Sequence, residues 1–218
     1  MLFRSKAARA NLEKALALEP GNAVLLVWMA VLESELDANN LDAALARLDD
    51  LTRRYPMLSL GFTFKATVYE RRKQPKEARA FYEQALKLDS HDAVAANNLA
   101  WLLATSFQEP QEGLELARTA HRLDPSNADF ADTLGWIHYQ MADYKGAMES
   151  LGDAVRLRPD DAALRYHLGL AQSRAGRNKE AVSTLKTALI LNPRMPEASQ
   201  VREELVALNI LVARGGAR

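Results

Sequence analysis

A period of about 34 residues runs through this sequence and constrains its fold more than any other feature. A turn-forming residue recurs with gaps of 36, 34, 35, 34 and 34, at Pro20, Pro56, Ser90, Pro125, Pro159 and Pro193. A small residue lies twelve positions before each of them, at Ala8, Ala44, Ala78, Gly113, Ala147 and Ala181. Such self-similarity predicts a repeat array, in which each unit packs mainly on its neighbours.

The apolar spacing inside each unit is helical. In 128–161, apolar or small residues recur in steps of three and four, first around Leu134 and Gly135 and then through Ala147, Leu151 and Ala154. Such steps place side chains on one helical face. The pattern breaks near Ala142 and stops before Pro159, since proline cannot continue a helix interior. Each unit is therefore predicted to be two antiparallel helices joined by a short turn.

These residues resemble the tetratricopeptide repeat (TPR), whose pattern is Trp, Leu-Gly and Tyr, then Ala and an aromatic, then Pro. The matches include Trp28 and two Leu-Gly pairs, Leu134-Gly135 and Leu168-Gly169. The resemblance implies an all-α, right-handed α-α superhelix, a TPR solenoid of antiparallel helix pairs. Small residues are expected where two helices cross closely.

The period divides the chain into repeats. We expect the second helix of a truncated repeat in 1–22, with its helix from Phe3 to Glu19, and a capping helix in 196–210 followed by a tail in 211–218. The capping helix should turn Glu197, Arg202, Glu203 and Glu204 outward. An extra residue in the third repeat is assigned to a loop over 105–111. The five complete repeats are expected at 23–58, 59–92, 93–127, 128–161 and 162–195.

Composition excludes several functions. Lys plus Arg and Asp plus Glu number 28 each, so no net charge favours nucleic acid or an anionic membrane. The absence of cysteine excludes disulfides and thiol nucleophiles. None of the four histidines belongs to a metal-binding pair on one helix turn, and no phosphate-binding glycine loop or nucleophile elbow occurs. The sequence therefore predicts a non-enzyme without metal or cofactor.

The resemblance also implies a concave groove, lined by the first helix of each repeat, that binds a protein or peptide. Trp101 and Trp136 are equivalent and suggest a platform for a peptide, although each could instead pack on the next repeat's first helix. Asn97 could bond an extended backbone, and Asp129 and Asp132 would favour a basic segment. The carboxylate clamp of chaperone-binding repeats is not expected, since bases are missing beside Asn97. The groove candidates are Met29, Thr63, Thr67, Asn97, Trp101, Asp132, Trp136, Tyr139, Tyr166 and Leu170.

Three segments, 97–103, 132–136 and 165–169, are similar to the C-terminal repeats of bacterial TPR lipoproteins of exopolysaccharide and PEP-CTERM protein-sorting systems. That similarity implies a periplasmic or outer-membrane-associated protein; without it, a cytoplasmic location is expected. No apolar run approaches the ~20 residues of a membrane helix.

Three functions remain open at this point. The first is an interaction scaffold that binds a partner in the groove. The second is a self-assembly module, in which the apolar edge of the N-terminal helix pairs with another copy. The third is the non-catalytic arm of a larger enzyme such as a glycosyltransferase.

Overall fold

Every regular element in the described residues, 6–36 and 41–215 of the computed structural model, is a helix. This confirms the prediction of an all-α chain. Side chains are described for 7–33 and 41–209. The twelve α-helices of this part of the chain are α1 (Lys6–Leu18), α2 (Ala23–Leu36), α3 (Leu41–Arg54), α4 (Ser59–Arg71), α5 (Pro75–Leu88), α6 (Ala93–Leu102), α7 (Pro110–Leu123), α8 (Ala128–Gln140), α9 (Tyr144–Leu157), α10 (Ala162–Arg174), α11 (Asn178–Leu191) and α12 (Ala198–Gly215).

The chain divides into two compact units, 1–102 and 103–218. In the first unit α2 packs on α3 and α4 packs on α5; in the second, α8 packs on α9 and α10 on α11, with α12 against α11. We call α2, α4, α6, α8 and α10 the first helices, and α3, α5, α7, α9 and α11 the second helices.

Side-chain caps fix where most first helices begin. The carboxylate of Asp161 accepts from the backbone N–H groups of Ala163 and Leu164, at 2.9 and 3.3 Å. Asn22, Asp92 and Asn127 cap α2, α6 and α8 in the same way. Asp and Asn are favoured there because they satisfy N–H groups that lack a partner in the first turn of a helix. The caps therefore give the repeat register directly.

Close helix crossing explains the small residues of the Leu-Gly pairs. A Cβ added to Gly135 would lie 2.6 Å from Leu151 Cγ, and one added to Gly169 would lie 2.6 Å from Leu185 Cγ. Both leucines are fully buried on the facing second helix. In the first unit Ala66 and Ala30 take the same register position and are also buried.

The extra residue of the third repeat is not in a loop as expected. Residues Leu103–Phe107 form a π-helix, and α7 begins at Pro110. A π-helix accommodates one extra residue within a helical segment, which explains why the repeat lengthens without a new loop. Gln108 then takes a left-handed backbone conformation, φ 59°, before α7.

The ends of the chain also differ in detail from expectation. The N-terminal helix is described from Lys6 to Leu18, and the start expected at Phe3 lies outside the described residues. At the other end α12 continues to Gly215, five residues past the expected end at 210 and into the segment assigned to a tail.

Candidate partner-binding surface

Trp136 is the centre of an aromatic cluster in the second unit. Its indole stacks on Tyr139, one turn later on α8, with ring centroids 4.9 Å apart and planes 15° apart. It also lies against His167 of α10, at 4.4 Å. The Gln140 amide accepts from indole Nε1 and donates to the Ala104 carbonyl, both at 2.9 Å. Trp136 therefore packs on the next first helix, but it also keeps part of its surface exposed.

Asp132 and His167 join α8 to α10 beside this indole. Nδ1 of His167 lies 2.8 Å from Oδ1 of Asp132, and both side chains are about 85% buried. The sequence analysis gave His167 no role, because it lacks metal-ligand spacing. His167 follows Tyr166 by one residue and occupies a position that faces the preceding first helix. That position could have predicted its contact with α8.

Two tyrosines continue the cluster toward α12. Tyr139 and Tyr166 are half-buried, and burial raises the pKa of each hydroxyl, so both remain neutral donors near pH 7. Arg174 bonds the Tyr139 hydroxyl, which partly offsets that rise, and lies 3.0 Å from Glu204 on α12. We call Trp136, Tyr139, Tyr166 and His167 the aromatic strip.

The capping helix contributes more to this surface than expected. Glu204, predicted to point outward, turns toward α10 and bonds Ser173 and Arg174. Its side chain is only 19% exposed. The 34-residue period could have predicted this orientation of Glu204. Glu204 lies one period after Leu170, and Leu170 lies one period after Trp136.

Four groove candidates are buried instead of exposed: Met29, Thr63, Asn97 and Leu170. Thr63 has no exposed surface because its hydroxyl bonds Asp92, the cap of α6, at 2.6 Å. Met29 lies in the core because the Asn22 cap shifts the register of the first repeat by two residues. Met29 then takes the place of the leucine in the Leu-Gly pair, with Ala30 as the small residue.

Thr67 and Asn97 of the first unit belong to a polar network around Tyr82. The buried Tyr82 hydroxyl contacts Thr67 at 3.1 Å, accepts from Asn98 at 3.2 Å and donates to Glu70. Asn97 donates to Asn98, and its own carbonyl oxygen is buried without a partner. Trp101, on α6, is half-buried. In this unit the polar side chains of the network therefore bond one another inside the fold.

The described residues contain neither a group of potential metal ligands nor a helix suited to crossing a membrane. Among them no group of three His, Cys, Asp or Glu side chains has the arrangement of a metal site. None of the helices in 6–36 and 41–215 combines the length and apolar character needed to cross a bilayer. A second histidine–carboxylate pair, His138 and Asp143 at 2.8 Å, lies at the turn between α8 and α9, where Asp143 caps α9 by accepting from the Gly146 N–H. That pair therefore stabilises the turn between α8 and α9.

Two family models, both described as tetratricopeptide repeat, match residues 32–93 and 138–205. A TPR repeat-containing protein of Pseudomonas aeruginosa, PA4667, is 27% identical over 74% of this chain and 27% of its own length. The human mitochondrial import receptor subunit TOM70 is 21% identical over 79% of this chain and 29% of its own length. The chain thus spans less than a third of these curated relatives.

Solved structures show the same fold at low identity. YrrB, described as a TPR protein with an unusual peptide-binding site, superposes with a TM-score of 0.65 at 19% identity, covering 88% of this chain and 97% of YrrB. PilW, described as a type IV pilus biogenesis factor, gives 0.70 at 17% identity, covering 88% and 92%. Cut9 in its complex with Hcn1 gives 0.78 at 17% identity, covering 93% and 39%. With the helix pairs, these likenesses confirm the predicted solenoid class.

Proposed function

Because the chain is built from tetratricopeptide repeats, we propose that it is a non-catalytic scaffold that binds a segment of a protein partner along the aromatic strip. Proteins with this repeat typically bind proteins or peptides and are typically not catalysts. The observation that carries the proposal is the partial exposure of Trp136, Tyr139 and Tyr166 on adjacent first helices. Aromatic side chains of this kind dominate binding hot spots.

The contrast between the two units supports placing the site in the second. At the fifth position after each cap, the first unit has the buried residues Val27, Thr63 and Asn97, whereas the second unit has Asp132 and Tyr166, which keep exposed surface. At the ninth position, Trp101 and Trp136 are both partly exposed, Thr67 contacts Tyr82, and Leu170 is buried. A partner can reach the partly exposed side chains without opening the fold.

The test begins with a peptide selected from a displayed library on the intact protein and titrated by fluorescence anisotropy. We expect Trp136→Ala to weaken binding at least tenfold, the scale of a hot-spot residue. Trp28→Ala removes the same side chain from the first unit and is the matched control. Circular dichroism would verify that both variants fold. Equal affinities of Trp136→Ala and the parent protein would refute the proposed site.

Self-assembly is a second candidate, favoured by one observation. Leu12 and Ala15 of α1 are only partly buried, whereas equivalent residues of later second helices, such as Leu151 and Ala154, are fully buried. A second copy could cover this face. Light scattering over a range of concentrations tests it, and a monomer throughout would argue against it.

The cellular role is a finer proposal. The similarity of 97–103, 132–136 and 165–169 to exopolysaccharide-system lipoproteins supports a role in bacterial envelope export and a periplasmic or outer-membrane location. A non-catalytic arm of a larger enzyme such as a glycosyltransferase is the alternative. Sequence flanking this chain in its gene would discriminate between the two.

A further inference from the structure

More acidic than basic side chains lie beside the aromatic strip. Asp132 lies at one side of the strip on α8. Glu204 of α12 and Glu197, which immediately precedes α12, lie at the other side, where Tyr166 packs near Ala198. Two basic side chains lie among these groups, Arg174, which is paired with Glu204, and His167, which is paired with Asp132. The Glu197 carboxylate makes no ion pair within the described part of the chain. The strip therefore presents more negative than positive charge to a ligand.

Arg174 shows how the strip accommodates a guanidinium group. It donates to the Glu204 carboxylate at 3.0 Å and bonds the hydroxyl of Tyr139. The neutral tyrosine hydroxyls, the aromatic faces and the carboxylates are the three groups that a planar guanidinium prefers. A second guanidinium supplied by a partner would find the same groups at Tyr166 and Glu197.

We propose that the partner segment is basic, and that it places arginine side chains on the aromatic strip between Asp132 and Glu197. This inference rests on the proposed function and specifies the chemistry of its ligand. Arginine is favoured over lysine because its planar group stacks on aromatic rings and bonds carboxylates through two N–H groups. An acidic segment is disfavoured because Arg174 would first have to leave Glu204.

The geometry also limits the spacing of the basic residues. Asp132 lies on α8 and Glu197 immediately precedes α12, and α10 lies between them because Glu204 of α12 bonds Ser173 and Arg174. Packed helices are about 8–10 Å apart, so the two carboxylates are separated by roughly two such steps, about 16–20 Å. An extended chain advances about 3.3 Å per residue. Two arginines about five or six residues apart should therefore bind better than two adjacent arginines.

The experiment uses labelled glycine–serine peptides that differ only in two residues, which are arginine, lysine, glutamine or glutamate. Anisotropy titrations on the full chain, at low and at physiological ionic strength, give the order of affinity. We expect arginine to bind tightest, lysine several-fold weaker, and glutamate weakest. Higher ionic strength should weaken the arginine peptide, because exposed ion pairs are screened.

Charge-neutral variants locate the site. Glu197→Gln and Asp132→Asn should each weaken the arginine peptide roughly two- to fivefold, the range for exposed ion pairs. Glu203→Gln makes the same charge change on an exposed position of α12 and should have no effect. Asp132 also bonds His167, so its replacement can disturb the fold. If Asp132→Asn does not fold, the result for Glu197→Gln alone tests the inference.

Three results would overturn the inference. One is a glutamate or glutamine peptide that binds as tightly as the arginine peptide. Another is an equal effect of Glu197→Gln and Glu203→Gln. The third is no binding by any of these probes. None of the three refutes the scaffold itself, since that depends on the separate Trp136→Ala titration with a library-selected peptide.

Discussion

The glycine of the Leu-Gly pair offers the sharpest test of how this fold is held together. In Gly135→Ala, the new methyl group would lie 2.6 Å from Cγ, 3.0 Å from Cδ2 and 3.0 Å from the backbone nitrogen of Leu151. A different Leu151 rotamer could relieve the side-chain contacts but not the backbone one. Helices α8 and α9 must therefore move apart by a few tenths of an ångström.

The expected magnitude is a difference between two opposing effects. Overpacking a close-packed core costs about 1–3 kcal/mol. Replacing glycine by alanine inside a helix contributes about 0.8–1 kcal/mol in the other direction. We therefore expect Gly135→Ala to lower the free energy of unfolding by about 1 kcal/mol. Gly152, in α9, has no atom within 4 Å of an added Cβ, so Gly152→Ala should instead raise it by up to about 1 kcal/mol.

A double-mutant cycle isolates the crossing. In a Leu151→Ala background the contacts with Cγ and Cδ2 are absent and only the 3.0 Å contact with the backbone nitrogen remains, so Gly135→Ala should cost clearly less than in the parent protein. Urea unfolding by circular dichroism gives the free energies, and hydrogen exchange in α8 and α9 checks that the change is local, because repeat arrays need not unfold in one step. The reasoning fails if Gly135→Ala and Gly152→Ala have the same effect, or if Leu151→Ala leaves the effect of Gly135→Ala unchanged.

Two further predictions concern caps and buried charge. Asp161→Ala removes the oxygen that accepts from the N–H groups of Ala163 and Leu164, and should cost about 0.5–2 kcal/mol of unfolding free energy in urea; Asp160→Ala, at an exposed neighbour, should cost little, and equal losses would contradict the cap. Burial raises the pKa of Glu70 despite its bond from Tyr82, so the folded state loses stability as the pH rises above the ordinary glutamate range. Glu70→Gln should therefore stabilise the protein at pH 7 but not at about pH 4, and parallel pH–stability curves for Glu70→Gln and the parent protein would contradict this.

Periodicity made the helix pairs predictable, but it did not determine the register of the first repeat. Trp28 was matched to the tryptophan of the repeat pattern, which placed Met29 in the groove. The cap at Asn22 starts the helix two residues earlier than that match requires. Counting from the capping Asn or Asp, as at Asp92, Asn127 and Asp161, would have placed Met29 in the core.

Burial of polar groove positions could not be predicted from residue type. Thr63 is polar and was expected to be accessible, but its hydroxyl bonds a side chain 29 residues later, the cap Asp92. Glu204 was expected to face solvent, but it has Ser173 and Arg174 as partners on α10. In both cases a contact between neighbouring repeats decides exposure, and the pattern within one repeat does not contain that contact.

The same register position can therefore serve the fold in one repeat and a partner in another. At the fifth position, the Thr63 hydroxyl bonds the next cap and has no exposed surface, whereas Tyr166 packs against the core and His167 but stays partly exposed. A tyrosine is too large to be enclosed where a threonine fits, so its ring remains partly on the surface. Because the backbone repeats and the side chains do not, the binding surface should lie where large aromatic residues replace the small polar ones. At the fifth position that replacement occurs at Tyr166, in the second unit.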